Sequence, residues 1–277
     1  MGAWALWLYR EKEESPAAVQ LRKAQEYQRL GRLHEALESV SSSIRMGPTF
    51  EASLFKALLL YELQYHQESH DELESIRKRY PDRRDPKIQY YLGEISETLG
   101  ALPEAYAHYS NYSNALDPSG LEALRLKVKL GKIAFSLDKE KEAMEHLSRA
   151  ISRLERSLAE DASKKDRPLL QETIGEALYF QAKILHRKKE YREAEKRFQA
   201  LLKEENSLLF HGINPLVFRF ALPRERKEMI SLTRKAMQKR QTLYSELGKI
   251  YVQLQRWEEA IECLKNASPE TDRKSVV

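Results

Sequence analysis

The chain has little of what marks disulfide-bonded, membrane-spanning and low-complexity proteins. Cys263 is the only cysteine among 277 residues, which excludes a disulfide within the chain. No apolar run reaches the roughly 18–20 residues that a membrane-spanning helix needs. Glycine and proline number only 10 each. This composition disfavours a low-complexity chain and suits a helix-rich one.

Catalytic and cofactor-binding motifs are also missing from the sequence. It has no phosphate-binding glycine loop, no dinucleotide-binding glycine pattern, no nucleophile elbow and no His-Glu-x-x-His motif. His66 and His70 stand one helical turn apart, but no further histidine or cysteine nearby completes a metal site. We therefore expect no enzymatic activity, no cofactor and no bound metal.

The charge balance is mildly basic, with a net charge of +5 at pH 7. Hydrophobic residues make up 42% of the chain and charged residues 32%, as in a soluble protein. The positive charge favours acidic partners but does not by itself indicate nucleic acid, which is the less favoured partner. The low cysteine content favours the cytoplasm, and a membrane-associated or bacterial periplasmic location is the alternative.

A small residue is followed, always the same distance later, by an alanine inside a helical pattern. Small residues at such positions allow two antiparallel helices to cross closely, whereas large side chains would hold the helices apart. The pairs are Ala24/Ala36, Gly93/Ala105, Gly131/Ala143, Ala182/Ala194 and Gly248/Ala260.

The residues around these pairs resemble the tetratricopeptide repeat. Leu247–Tyr251 reads Leu-Gly-Lys-Ile-Tyr, and Trp257–Ala260 reads Trp-Glu-Glu-Ala, close to that family's Leu-Gly…Tyr helix and its following Tyr-x-x-Ala helix. The resemblance implies an all-α fold, an α-solenoid of about six helix pairs in a right-handed superhelix. It also implies a protein-interaction adaptor or assembly scaffold rather than an enzyme.

The copies divide the chain into five predicted parts. The second copy is degenerate, with Leu58 in the small position, Ser69 in the alanine position and one residue missing between them. The copies run over Ala17–Pro48, Glu51–Pro81 and Pro86–Pro118, and then from near Leu124, Gly175 and Gln241. The parts are an apolar and charged segment (1–16), an array of about five repeats (17–206), an insertion (207–240), the last repeat (241–269) and a polar tail (270–277).

The resemblance implies that the first helix of each repeat lines a concave groove. The groove-facing positions lie six before, three before and one after the small residue, on one helical face. The last three repeats carry lysine one position after the small residue, which favours an acidic peptide or helix as the partner. An ordinary solvated lysine face is the alternative. The predicted groove residues are Phe55, Lys87, Tyr90, Arg125, Lys132, Tyr179, Lys183 and Lys249.

The insertion at Leu208–Arg240 is apolar first and basic afterwards. Between Phe218 and Arg240 stand eight cations and two anions. It has three interpretations: a structural insert, a docking element for a protein partner, or a contact with anionic lipid or nucleic acid. We expect Leu208–Pro223 to break the regular stacking and a helix to begin near Pro223. The predicted docking residues are Phe210, Phe218, Phe220, Arg224 and Arg226.

The N-terminal segment Ala3–Tyr9 is apolar and is followed at once by charged residues. It is too short to span a bilayer. One interpretation is a first helix that packs Trp4 and Trp7 onto the repeats. The other is the remainder of a membrane anchor, since tryptophan beside charge suits a membrane interface. The second interpretation gives the alternative function, a peripheral or membrane-anchored component of a larger complex.

Overall fold

Twelve helices and no strand make up the part of the chain that the computed structural model describes, residues 15–160, 166–212 and 223–268. Side chains are described for 15–160, 166–203, 231 and 234–268. The helices are α1 Pro16–Arg29, α2 Leu33–Met46, α3 Phe50–Glu62, α4 His66–Arg79, α5 Pro86–Thr98, α6 Leu102–Ser113, α7 Leu121–Ser136, α8 Glu140–Ala159, α9 Arg167–Arg187, α10 Tyr191–Gly212, α11 Pro223–Gln253 and α12 Trp257–Ala267.

The chain divides into two units, 1–116 and 117–277, which hold α1–α6 and α7–α12. Successive helices pair in both units, which gives six pairs in the described part. In unit 1 the second helix of one pair packs on the first helix of the next, α2 on α3 and α4 on α5. In unit 2, α8 packs on α9 and α10 on α11 in the same way. The predicted α-solenoid of helix pairs is confirmed.

Side chains just before the first helices of unit 1 explain where those helices begin. The Ser15 hydroxyl accepts from the Ala18 amide at 3.2 Å, and the Thr49 hydroxyl accepts from the Ala52 amide at 3.1 Å. These bonds satisfy amide groups that have no partner within the helix. Pro16 and Pro86 stand in the first turns of α1 and α5, where proline removes no helical hydrogen bond.

One turn geometry joins the two helices of every pair. Each turn has one residue with positive φ, and the next amide donates back to the carbonyl five residues earlier at 2.8–2.9 Å. This is the bonding pattern of a Schellman motif, which caps the free carbonyls at a helix end. The positive-φ residues are Gly31, Gln64, Gly100, Asp138, Lys189 and Gln255.

The small residues lie where a side chain of the second helix approaches the backbone of the first. A Cβ on Gly93 would lie 2.7 Å from two ring atoms of Tyr109. A Cβ on Gly131 would lie 2.7 Å from Cγ of Leu147. Tyr109 and Leu147 are fully buried. Glycine is therefore the residue that allows these two helix pairs their observed separation.

The assignment of the second copy is wrong by one residue. The positive-φ residue lies seven positions after the small residue in the other five pairs, and Gln64 lies seven positions after Ala57. Ala57 is fully buried and stands twelve residues before Ser69, the same spacing as in the other copies. The Ser69 hydroxyl donates to the Ala57 carbonyl at 2.8 Å, which satisfies this buried serine. No residue is missing from this copy, and Leu58 is not its small residue.

The region of the predicted insertion contains the end of one helix and the start of another. α11 begins at Pro223 and runs without interruption to Gln253, so the predicted helix start is confirmed. α10 continues to Gly212, so the prediction of irregular structure from Leu208 onward is wrong for residues 208–212. The leucines at 201, 202, 208 and 209 keep a seven-residue helical spacing, and no helix-breaking residue precedes Gly212.

Two further predictions lie outside the described residues. The N-terminal segment with Trp4 and Trp7 is one, and residues 213–222 of the insertion are the other. Among the described helices, none combines the length and the apolar character that crossing a membrane would require.

Candidate functional site

The predicted groove residues divide between the two units. Phe55, Lys87 and Tyr90 lie on α3 and α5 of unit 1, and the other five lie on α7, α9 and α11 of unit 2. All eight therefore lie on the first helices of helix pairs, as predicted. The set in unit 2 contains most of the predicted cations.

Aromatic rings and cations from α7 and α9 meet between these two first helices. The Phe135 and Phe180 rings lie 5.9 Å apart, and the Tyr179 ring lies 5.4 Å from Phe180. Both contacts are edge-to-face, the geometry that aromatic pairs prefer. The group, here called the α7–α9 cluster, consists of Lys132, Phe135, Tyr179, Phe180, Lys183 and Arg187.

Lys183 places its charge between two rings of this cluster. Its ammonium Nζ lies 5.8 Å from the Phe135 centroid and 5.7 Å from the Tyr179 centroid. Both distances are within the range of a cation–π interaction. The side chain is half-buried, and none of the ion pairs found among the described residues includes it. Lys183 therefore keeps an unneutralised charge beside apolar surface.

The two other predicted lysines of unit 2 already have carboxylate partners. The Lys132 ammonium donates to Glu176 at 2.5 Å, and it also lies 5.5 Å from the Phe180 centroid. The Lys249 ammonium donates to the buried Glu246 at 3.0 Å. Each pair is close to neutral as a unit, so the three lysines differ in the charge that they can offer.

Glu246 links the third first helix, α11, electrostatically to the cluster. Burial raises the pKa of Tyr179 above its ordinary value, and the Glu246 carboxylate adds to that increase. Tyr179 therefore stays protonated, and its hydroxyl remains able to donate a hydrogen bond. The Tyr179 ring also lies 5.8 Å from the buried ring of Phe198 on α10, which holds it in place.

Arg187 fixes the end of α9 to the turn between α7 and α8. Its guanidinium carbon lies 4.0 Å from the Phe135 centroid, and Nη1 donates to Asp138 Oδ1 at 2.6 Å. Glu140 lies 3.6 Å from Nε. Because its guanidinium is already bound to these groups, Arg187 has a structural role within the cluster.

The sequence analysis missed Phe135, Phe180 and Arg187, because they lie outside the three positions read in each repeat. Phe180 directly follows a predicted tyrosine, and Phe135 lies one helical turn after Lys132. An aromatic residue one turn from a lysine on the same helix face was the signal available in the sequence.

The predicted residues of unit 1 have different surroundings. Tyr90 belongs to an aromatic group, with its ring 5.3 Å from both Tyr91 and Tyr112. Lys87 is exposed near the start of α5. The prediction of Phe55 as a groove residue is wrong. With Ala57 as the small residue, the position three before it is Leu54. Phe55 instead packs against the apolar core that α1, α2 and α3 share.

The remaining predicted cation, Arg125, is exposed on α7, and the side chains of the five docking residues lie outside the described ones. Phe218 and Phe220 lie outside the described residues, and only the helical backbone is described for Phe210, Arg224 and Arg226. The docking hypothesis for these five residues stays a prediction.

The histidines one turn apart contact neighbours on their own segment. His66 Nε2 lies 3.1 Å from Gln64 Oε1, and His70 Nδ1 lies 3.5 Å from Asp71 Oδ1. Within the described residues, no three His, Cys, Asp or Glu side chains come together as a metal site would require.

Family models match both ends of the chain. Residues 21–83 match one model described as tetratricopeptide repeat, and residues 242–275 match a second model with the same description. These matches fall on the first two helix pairs and on the last one. No curated protein matches the chain.

Several solved structures share the fold at low sequence identity. MamA from Desulfovibrio magneticus RS-1 is 15% identical over 70% of this chain and 97% of that chain, with a TM-score of 0.54. BtubC (BKLC) from P. vanneervenii is 14% identical over 95% and 91%, with a TM-score of 0.56. YrrB, described as a TPR protein with an unusual peptide-binding site, is 12% identical over 72% and 90%, with a TM-score of 0.53. Such identities show the fold alone.

Proposed function

We propose that this tetratricopeptide-repeat protein is a non-catalytic adaptor that binds an acidic peptide or helix at the α7–α9 cluster. In this proposal the Lys183 ammonium receives a carboxylate of the partner. The observation that supports it is the difference among the lysines: Lys183 stands between two aromatic rings, whereas Lys132 and Lys249 have carboxylate partners. Tetratricopeptide repeats bind protein or peptide partners in general, and the proposal assigns one place and one chemistry to that property.

The surroundings of Lys183 favour a carboxylate over other ligands. The ammonium lies beside two aromatic rings, which cannot accept ordinary hydrogen bonds, so a partner that supplies an anionic oxygen adds a charge-assisted one. The adjoining rings of Phe135 and Tyr179 offer apolar surface to the methylene groups of a glutamate or to a neighbouring leucine. Such a ligand presents a carboxylate beside an apolar side chain, as an amphipathic helix or an extended peptide does.

The same reasoning lowers the expected contribution of Lys132 and Lys249. A ligand carboxylate at Lys132 would compete with Glu176. One at Lys249 would compete with Glu246, whose carboxylate lies 3.0 Å from the Lys249 ammonium. We therefore refine the prediction of three equivalent lysines to one principal lysine and two minor ones. The peptide site in the printed description of YrrB is consistent with this type of function, although no residue is transferred from that protein.

Fluorescence polarisation with two labelled amphipathic peptides tests the proposal. One peptide carries glutamate opposite a leucine face, and the other carries glutamine at the same positions. We expect the glutamate peptide to bind the full chain more tightly and to lose this advantage as salt is added. Lys183→Met should weaken its binding about tenfold, as the loss of one charge-assisted hydrogen bond implies.

Two variants serve as controls for this measurement. Lys249→Met combined with Glu246→Gln should change the affinity by about twofold or less, because the two substitutions remove both charges of a pair that is neutral as a unit. Lys188→Met removes the same net charge from an exposed residue just after α9 and should have no effect. Equal affinity for the two peptides, or an equal loss in all three variants, would contradict the proposed role of Lys183.

A further inference from the structure

The last helix of the described chain has an apolar face without a covering helix. Trp257, Ile261 and Leu264 are 59%, 54% and 47% exposed. Their spacing of four and then three residues places them on one side of α12. These three residues are here called the α12 stripe. Leu264 also lies over Gly248 on α11, so the stripe begins at the edge of the core of unit 2. Three large apolar side chains side by side form a continuous patch rather than scattered exposure.

The equivalent positions in the other second helices are covered. The position four residues after the repeat alanine is 47% exposed at Leu264 and 0% exposed in the other five helix pairs. In those pairs it is held by Val40, Leu73, Tyr109, Leu147 and Phe198.

In unit 2 the cover comes from the first helix of the next pair. Met144 and Tyr191, the counterparts of Ile261 and Trp257, pack into a core that includes residues of α9 and α11. Tyr191 also reaches α11 through its hydroxyl, 3.5 Å from Gln253 Oε1. The α12 stripe therefore has the position and the composition of a surface on which a further first helix packs.

The chemistry of that further helix can be derived from the first helices in the chain. The residues five before and two after the small residue are buried and aliphatic in all five first helices from α3 to α11. They are Ala52, Leu59, Ile88, Ile95, Leu126, Ile133, Ala177, Ile184, Leu243 and Ile250. Glu258, Glu262 and Lys265 border the stripe with a net charge of −1, and neither glutamate belongs to an ion pair found among the described residues. A helix with an aliphatic stripe bordered by lysine or arginine would match both features.

The first helix of a second copy does not meet this description. In α1 the same two positions hold Val19, which is 39% exposed, and Glu26, which is also exposed. Placing α1 on the stripe would bring Glu26 toward Glu258 and Glu262, and like charges repel. At these two positions α1 thus has one valine and one glutamate, whereas α12 exposes three large apolar side chains.

We infer that the α12 stripe is a docking surface for a basic amphipathic helix of a partner protein, which packs there as the next first helix would. The surface is separate from the α7–α9 cluster and opposite in its charge preference. A helix entering the stripe would bury Trp257 and Ile261, and its cations would pair with Glu258 and Glu262.

A peptide with the sequence of residues 121–136 is a suitable probe. It corresponds to α7, and it carries aliphatic residues at the required spacing together with Arg125, Lys127, Lys129 and Lys132. We expect the labelled peptide to bind the full chain saturably in fluorescence polarisation. Trp257→Ala and Ile261→Ser should each weaken binding about tenfold or more, as for residues central to an interface. Glu258→Lys with Glu262→Lys should weaken it about threefold at low salt.

Controls separate this result from general stickiness and from the other proposed site. Leu99→Ser, at a 50% exposed leucine of unit 1, and Lys183→Met should both leave the affinity unchanged. No saturable binding, or binding that the stripe variants do not alter, would overturn the inference. Sedimentation that shows a dimer of the chain, lost in Trp257→Ala, would overturn it as well, because a second copy would then occupy the stripe.

Discussion

Replacing Gly93 by alanine tests whether close helix approach is what requires a small residue in this repeat. The added Cβ would lie 2.7 Å from Cδ1 and Cε1 of Tyr109 and 3.1 Å from Cγ. The ring is fully buried, and its hydroxyl lies 2.7 Å from Glu94 and 2.9 Å from Glu97. With both of its ends held, the ring has little freedom to move away from a new methyl group.

Two opposing effects determine the size of the change. Alanine is better than glycine inside a helix by about 1 kcal/mol. Forcing a methyl group into a packed core costs about 1–3 kcal/mol, and the fixed ring places this site in the upper part of that range. We therefore expect Gly93→Ala to lower the free energy of unfolding by about 1–2 kcal/mol.

Urea denaturation monitored by circular dichroism measures this difference, with Gly175→Ala as the matched control. Gly175 also lies inside a first helix, but a Cβ there meets only Leu201 Cδ2 at the ordinary distance of 3.8 Å. Only the higher helix propensity of alanine then acts, and the free energy of unfolding should rise by about 0.5–1 kcal/mol. The two variants should thus shift stability in opposite directions. A Gly93→Ala protein as stable as the parent would refute the packing argument.

Further predictions concern the turns, the second repeat and pH. Gly100→Ala should lower the free energy of unfolding in urea by about 1 kcal/mol. The loss comes from the backbone alone, since φ there is +78° and the methyl would meet no atom within 4 Å. Lys189→Gly, at φ +64°, should raise the free energy of unfolding. Ser69→Val should lower the free energy of unfolding by about 0.5–1.5 kcal/mol, since the buried Ala57 carbonyl would lose one of its two donors. Burial lowers the pKa of His108 and of His146 below 6.5. The unfolded chain therefore binds protons first, and stability should fall as the pH falls below about 6.5, less so in a variant with both histidines changed to glutamine.

The fold could be predicted from the sequence because the repeat fixes several features at once. The twelve-residue spacing, the turn and the small residue all agree in five copies. In the second copy the alanine position holds Ser69, and Ala57 is followed directly by Leu58, so the copy lacks the glycine or alanine pair that marks the others. The turn residue Gln64 identifies Ala57, but a glutamine with positive φ carries no clear sequence signal.

The candidate site was predictable only in outline. The positions read from the repeat correctly placed the lysines on first helices. They could not tell that Lys132 has a partner, because Glu176 belongs to the next pair, 44 residues from Lys132 in the chain. Pairs of that kind depend on how one repeat packs on the next, and a position within a single repeat contains no such information.

A charge exchange at Lys183 tests the central claim most directly. The affinities of the parent chain and of Lys183→Glu would be measured for the glutamate peptide and for the same peptide with lysine at those positions. If Lys183 receives a carboxylate, the variant should bind the glutamate peptide more weakly and the lysine peptide more tightly than the parent does. A variant that weakens both peptides equally, or neither, would contradict the claim that this lysine recognises an acidic partner.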